Sequence, residues 1–221
     1  MKREAIAEFY RRLADRTPNP QTELDYVNDY TLLVAVVLSA QSTDAGVNLA
    51  TRDLFRTVNT PVKMVELGEE GLKGHIKTIG LFNTKAKNVI ALSRALIAEH
   101  GGEVPANRDA LERLPGVGRK TANVVMNCAF GAETFPVDTH VFRVANRTGL
   151  APGNNVVEVE RKLEAQTPQP WRRDAHHLLI LHGRYVCKAR KPECWRCVVA
   201  DLCRYRPTTP PPADTPERAP R

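Results

Sequence analysis

A chain of 221 residues can form one large domain or two small lobes, and its 42% apolar and 26% charged content is that of an ordinary globular protein. Lys and Arg outnumber Asp and Glu by 32 to 25, giving a net charge of +7 and a pI near 9.3; such a balance favours an anionic partner, nucleic acid above all, although solubility alone explains it as well. The longest apolar run, Leu32 to Leu38, is too short for a bilayer, and Met1-Lys-Arg-Glu leads into an amphipathic pattern rather than a signal peptide, so a membrane partner is not expected and an intracellular location is, with the five cysteines reduced unless a metal holds them.

Helical periodicity runs the length of the chain and strand alternation is scarce. Ile6, Phe9, Tyr10 and Leu13 mark an amphipathic first helix. Leu32, Leu33, Val36 and Val37 mark a buried one, and Val47, Ala50, Leu54 and Phe55 a third, with Thr43 or Asp44 as its cap. Two short helices are expected over Val62 to Leu67 and Leu72 to Ile79. A longer one carrying Val89, Ile90, Leu92, Leu96 and Ile97 closes at Gly101-Gly102. Helices over Ala110 to Leu114, Thr121 to Phe130, His140 to Val144, Val156 to Leu163 and His177 to Leu181 complete an all-α pattern. From Arg204 onward prolines dominate, which predicts a disordered tail, inert or of weak DNA affinity.

Between two of these helices lies Leu114-Pro-Gly-Val-Gly-Arg-Lys120. Gly116 and Gly118 permit positive φ and close backbone approach, and Pro115 stiffens the entry. Backbone N–H groups of such a turn, together with the N-terminus of the next helix, suit a phosphate; an ordinary Pro-Gly connection is the plainer alternative. Lys120 falls in the first turn of that helix, where the dipole, Arg119 and partial burial would all favour a free amine. It is either a nucleophile for imine chemistry at a sugar carbon or a second phosphate-binding cation. Asp138, in Val137-Asp-Thr-His140, is an N-cap or a carboxylate that stabilises a cationic sugar or activates the attacking amine or a water, and the capping and functional roles are compatible.

Cys187, Cys194, Cys197 and Cys203 follow a C-x6-C-x2-C-x5-C spacing that argues against disulfides in a reducing compartment. Structural zinc and an iron–sulfur cluster both remain open, and the single close pair leans toward [4Fe–4S]. Lys188, Arg190 and Lys191 lie in the loop between the first two cysteines, suited to a DNA backbone or simply solvated. Cys128 reads as a core thiol, and His176, His177 and His182 as structural.

With Leu38-Ser-Ala-Gln-Ser-Thr-Asp44, Lys77-Thr-Ile-Gly-Leu-Phe-Asn83, Leu114 to Val125, Val137 to Val144, Leu179 to Tyr185 and the four cysteines in view, residues 1–206 resemble the endonuclease III family, bacterial DNA glycosylases and apurinic/apyrimidinic lyases of base excision repair. The resemblance implies an all-α, two-lobed helix-hairpin-helix glycosylase fold with a C-terminal [4Fe–4S] loop. One lobe would be residues 22–132, with the helix-hairpin-helix at about 107–127. The other would be 1–21 plus 133–206, with the cluster at 187–203, leaving 207–221 as tail. It further implies a monomer of the bacterial cytoplasm, nucleoid-associated when bound, that acts on double-stranded DNA carrying damaged pyrimidines or abasic sites. The family's nucleophile falls on Lys120, its carboxylate on Asp138 and cluster ligation on the four cysteines. Gln41 and Leu81 fall on the positions that fill the space of an extruded base, and Gly116, Val117, Gly118 and Arg119 join the basic loop as DNA contacts. Ser42, where Ala is frequent, and the tail are the departures.

Overall fold

The computed structural model describes residues 1–212. These contain ten α-helices and, among the described residues, no strand. They divide into two compact units: Thr22–Thr134, and Met1–Gln21 together with the chain from Phe135 onward.

The first unit is built around α2 (Asp29–Ser39), whose residues from Tyr30 to Leu38 are all buried. A helix apolar on every side has to be wrapped, and α3 (Asp44–Thr57), α5 (Phe82–His100) and α7 (Arg119–Phe130) pack on it. Asn28 caps α2 and Thr43 caps α3, each accepting a backbone N–H from the first turn. The stretch Pro61–Ile76 is numbered α4, yet it breaks at Gly68, where φ 73° and ψ 172° leave the helical region. Two short helices therefore do occupy this region, the second ending at Ile76 rather than Ile79. The five-residue α6 (Arg108–Glu112), capped by Asn107, packs on α7.

The second unit joins α1 (Arg3–Arg16) to α8 (Thr139–Thr148), α9 (Val156–Gln166) and α10 (Ala175–Tyr185). The apolar face of α1 sinks Ile6, Phe9, Tyr10 and Leu13 into one core with Phe135, Val141, Val144, Leu178 and Leu179. Each such side chain stabilises by about 1.5–3 kcal/mol, which ties the N-terminal helix to sequence more than a hundred residues away. The Tyr10 hydroxyl shares a 3.0 Å hydrogen bond with Thr167 Oγ1. Where α10 crosses α8, Gly183 permits the approach: a Cβ there would lie 2.9 Å from that of His140.

The tail expectation divides. Residues 207–212 are not helical, but Thr209 is hydrogen-bonded to the Pro192 carbonyl and accepts the Cys194 N–H at 3.2 Å, so this stretch is anchored to the cysteine loop. Residues 213–221 lie outside the described residues.

Candidate functional site

The turn between α6 and α7 is held from below. Leu114 and Val117 are core residues, and the Val117 N–H donates to the Leu114 carbonyl at 3.1 Å. Val117 thus offers an anion neither its side chain nor that N–H. Of the two glycines only Gly116 needs its special backbone, with φ 77° and a Cβ that would stand 2.8 Å from Asn88 Cβ. Gly118 has φ −100°, which any residue adopts, and a Cβ there would meet nothing within 4 Å. Its value lies in what it leaves uncovered. As N-cap of α7 it brings no side chain over the first turn, where a twelve-residue helix presents N–H groups with no carbonyl partner of its own.

Lys120 is the second residue of α7 and is exposed, as is Arg119. The partial burial expected at this lysine is therefore absent. The lysine's positive charge is felt at Cys128: burial pushes that thiol up to about 11, and Lys120 pulls the other way. Cys128 is half-buried against the core, in keeping with a packing role.

Asp138 caps α8. Its Oδ1 accepts the N–H groups of His140 and Val141, each at 2.8 Å, and Oδ2 lies 3.0 Å from His140 Nδ1. Burial alone would raise its pKa, but the Val141 N–H, the His140 ring and the more distant His176 outweigh that and hold the carboxyl below its usual range. The side chain keeps 19% exposure, so the carboxylate is fixed, charged and still reachable from solvent. His176 is buried, with Nδ1 2.9 Å from the Pro136 carbonyl, which sets the segment leading into Asp138. His140, a partner of the carboxylate through both its backbone and its ring, was not singled out by sequence; an Asp-x-His spacing at a helix start was the available signal.

The four cysteines converge. Together with His182, Val186, Pro192, Ala200, Tyr205 and others they line one cavity of about 390 Å³, its open mouth included. Burial pushes the Cys197 thiol up to about 11, and Cys187, Cys203 and Cys194 each add to the cost of a negative charge there. Four thiolates crowded into one apolar pocket require a cationic centre, and the chemistry of the set fits a multi-iron cluster. Around it, His182 Nε2 lies 3.7 Å from Cys197 Sγ, burial lowers that imidazole to about 4, and the Tyr205 N–H donates to Cys203 Sγ at 3.4 Å.

The basic loop is held by more than its cysteines. Arg143 and Arg147, one turn apart on α8, donate to the carbonyls of Gly183 and Cys187 and of Lys188 and Ala189, respectively, at 2.7–2.9 Å. Arg147 also stands 4.7 Å from the Tyr205 ring centroid. Neither arginine was foreseen; an i, i+4 pair near the end of a helix was the only sequence signal. Within the loop, Lys188 pairs with Glu193, while Arg190 and Lys191 are exposed.

Gln41 and Leu81 occupy two turns of the first unit, both exposed, Leu81 at 58%. Both backbones are left-handed, with φ 55° and 59°.

A family model described as the HhH-GPD superfamily of base excision DNA repair proteins matches residues 34–169, and one described as the iron–sulfur binding domain of endonuclease III matches residues 187–203. The chain is 56% identical to endonuclease III of Haemophilus influenzae over 206 residues, covering 93% of this chain and 98% of that one. With endonuclease III of Escherichia coli K12 the figures are 55%, 93% and 98%. Among solved structures it is similar to a trapped covalent intermediate of endonuclease III with DNA, with a TM-score of 0.87 and 43% identity over 92% of this chain and 96% of that one. A thermostable thymine-DNA glycosylase matches with a TM-score of 0.82 and 27% identity over 91% and 96%. The iron–sulfur match settles the choice of metal that the cysteine spacing left open, and the cofactor is a [4Fe–4S] cluster. With identity above one half along nearly the whole of its relatives, the chain belongs to the endonuclease III family of the HhH-GPD superfamily.

Proposed function

We propose that Lys120 and Asp138 carry the chemistry of this DNA glycosylase and apurinic/apyrimidinic lyase. The enzyme removes oxidised pyrimidines from duplex DNA and then cuts the strand on the 3′ side of the abasic site. A weakened base swings out of the stack, and Gln41 and Leu81 enter the space it leaves. The neutral Lys120 amine attacks C1′; the C1′–N bond to the base breaks and the base departs with its electron pair. The attached nitrogen gives up one of its two protons, the C1′–O4′ bond breaks with its electron pair going to O4′, which takes up a proton, and a protonated imine that keeps the other N–H is left between Nζ and C1′. That imine acidifies the C2′ hydrogen. Its removal expels the 3′ phosphate by β-elimination, and water then releases the lysine.

Asp138 stabilises the positive charge that grows at C1′ as the glycosidic bond breaks. The observation that carries this role is a carboxylate held charged by two backbone N–H groups and a histidine while remaining partly exposed. Gly118 and the first turn of α7 grip a backbone phosphate, beside Arg119. Cys187, Cys194, Cys197 and Cys203 ligate the cluster, which when bound cross-links their loop and so presents Arg190 and Lys191 to the DNA backbone. The chain works as a monomer where the genome lies, in the bacterial cytoplasm and on the nucleoid.

Incubation with a thymine glycol duplex and borohydride tests the assignment. Reduction of the imine leaves wild-type protein covalently joined to the strand, and Lys120→Gln abolishes the adduct. An undiminished adduct with Lys120→Gln would place the nucleophile elsewhere.

A further inference from the structure

Gln41 and Leu81 are, with Asn19, the non-glycine residues of positive φ among the described residues. A side chain in left-handed backbone persists only where its surroundings over-determine it. The two turns touch: a Cβ on Gly80 would lie 3.8 Å from the Gln41 carbonyl oxygen, and one on Gly46 would lie 3.0 Å from Thr43 Oγ1 and 4.0 Å from Ile79 Cγ2. Each is also closed by its own backbone bond, Ser42 N–H to Ser39 O and Ile79 N–H to Ile76 O, both at 3.0 Å. One side chain bond joins them. Lys85, on the first turn of α5 directly after Leu81, is only 4% exposed and donates from Nζ to Ser42 Oγ at 2.7 Å. The Lys85 N–H in turn bonds the Leu81 carbonyl at 3.0 Å. A lysine buried to this degree needs a hydrogen-bond acceptor for its ammonium group, and the Ser42 hydroxyl supplies one. Here it links the residue after Gln41 to the helix that starts from Leu81.

We propose that Lys85 and Ser42 are positioning residues that lock the Gln41 and Leu81 turns into one two-pronged element, formed before DNA arrives. The inference rests on the role given above to Gln41 and Leu81. Pre-formed prongs pay no ordering cost when the base leaves the stack, so their benefit falls on base extrusion. A sugar that already lacks its base has less to unstack and needs them less.

The test compares Lys85→Met, Ser42→Ala, the double variant and Leu81→Gly in the iron-loaded enzyme. Extrusion is followed by the fluorescence of 2-aminopurine beside a thymine glycol, base release in single turnover, and imine formation by borohydride trapping on a pre-formed abasic duplex. Lys85→Met should slow extrusion and base release by about tenfold, a loss in keeping with small misplacements near reacting groups. Ser42→Ala should act in the same direction, and the double variant should be no worse than Lys85→Met, since both remove one bond. Trapping on the abasic duplex should fall far less than base release. An equal fall on both substrates would mean general loosening and would overturn the proposal. So would additive effects in the double variant. If Leu81→Gly slows extrusion and Lys85→Met does not, the prongs act without the lock and the proposal alone fails. If Leu81→Gly is also without effect, the prong reading fails and the proposal with it. Should Lys85→Met not fold, Ser42→Ala decides from the other end of the same bond.

Discussion

Replacing Asp138 separates its two roles, because Asn caps a helix as well as Asp does but carries no charge. In Asp138→Asn the remaining carbonyl oxygen can still accept the His140 and Val141 N–H groups, which lie at 2.8 Å from Oδ1 in the wild type, but without ionic assistance. A hydrogen bond to a charged group contributes about 1.5–3 kcal/mol and a neutral one about 0.5–1.5, so weakening two of them by about 1–1.5 kcal/mol each destabilises by about 2–3 kcal/mol. Asp138→Ala removes the acceptor altogether; the lost cap costs about 1 kcal/mol, and leaving the two donors unpaired adds about 1–3 kcal/mol for each. Stability therefore falls in the order wild type, Asn, Ala, and each kcal/mol lowers Tm by about 2–4 °C in a chain of this size. The rate behaves differently. If the charge stabilises the cationic sugar, both variants lose about 100- to 1000-fold in single-turnover base release, the scale of a removed electrostatic stabiliser. Thermal melting and single-turnover release of thymine glycol, measured at a temperature where all three proteins are folded, check this. An Asn variant that melts near wild type and also turns over near wild type would refute the catalytic role and leave Asp138 a cap. The same carboxylate sets a pH dependence. Its folded pKa lies below the unfolded value, so its contribution is present above about pH 4, the ordinary aspartate range, and is lost as pH falls through the lower folded value. Asp138→Asn should accordingly flatten the loss of stability on the acid side, as read from denaturant melts at falling pH.

The two glycines of the hairpin should fail in different ways. Gly116→Ala forces a Cβ onto Asn88 at positive φ and destabilises by about 1–3 kcal/mol, whereas Gly118→Ala folds normally and weakens binding to undamaged duplex, with a shallower salt dependence in fluorescence anisotropy. Equal melting of the two would contradict the assignment. Arg147→Met frees the carbonyls of Lys188 and Ala189 while leaving every cysteine in place. Iron content at purification should stay near wild type, but visible absorbance should bleach several-fold faster under a chelator; an unchanged rate would mean that the cysteines alone fix the loop.

Much of the molecule was legible because its rules are local. Periodic apolar residues located the helices, even the paired segments on either side of Gly68, since a helix face is set by residues three and four apart. Thr43 and Asp138 were recognisable as caps from the residue type and the helix that follows. Less was legible about which groups were accessible. Lys120 is exposed where partial burial was expected, and Val117 is consumed by the core. Burial depends on what folds over a residue, and its neighbours in sequence do not say what that will be.

The sequence by itself determined the helical class, the glycine turn before Lys120, the cap at Asp138 and the grouping of four cysteines, all of them encoded within a few residues. Tertiary structure alone decided that Gly116 is held by Asn88 while Gly118 stands open, that Arg143 and Arg147 anchor the basic loop, and that Lys85 bonds Ser42 across forty-three positions of sequence. Each of these is a contact between distant segments. Its energy depends on a separation and an orientation that exist only once the core has brought those segments together.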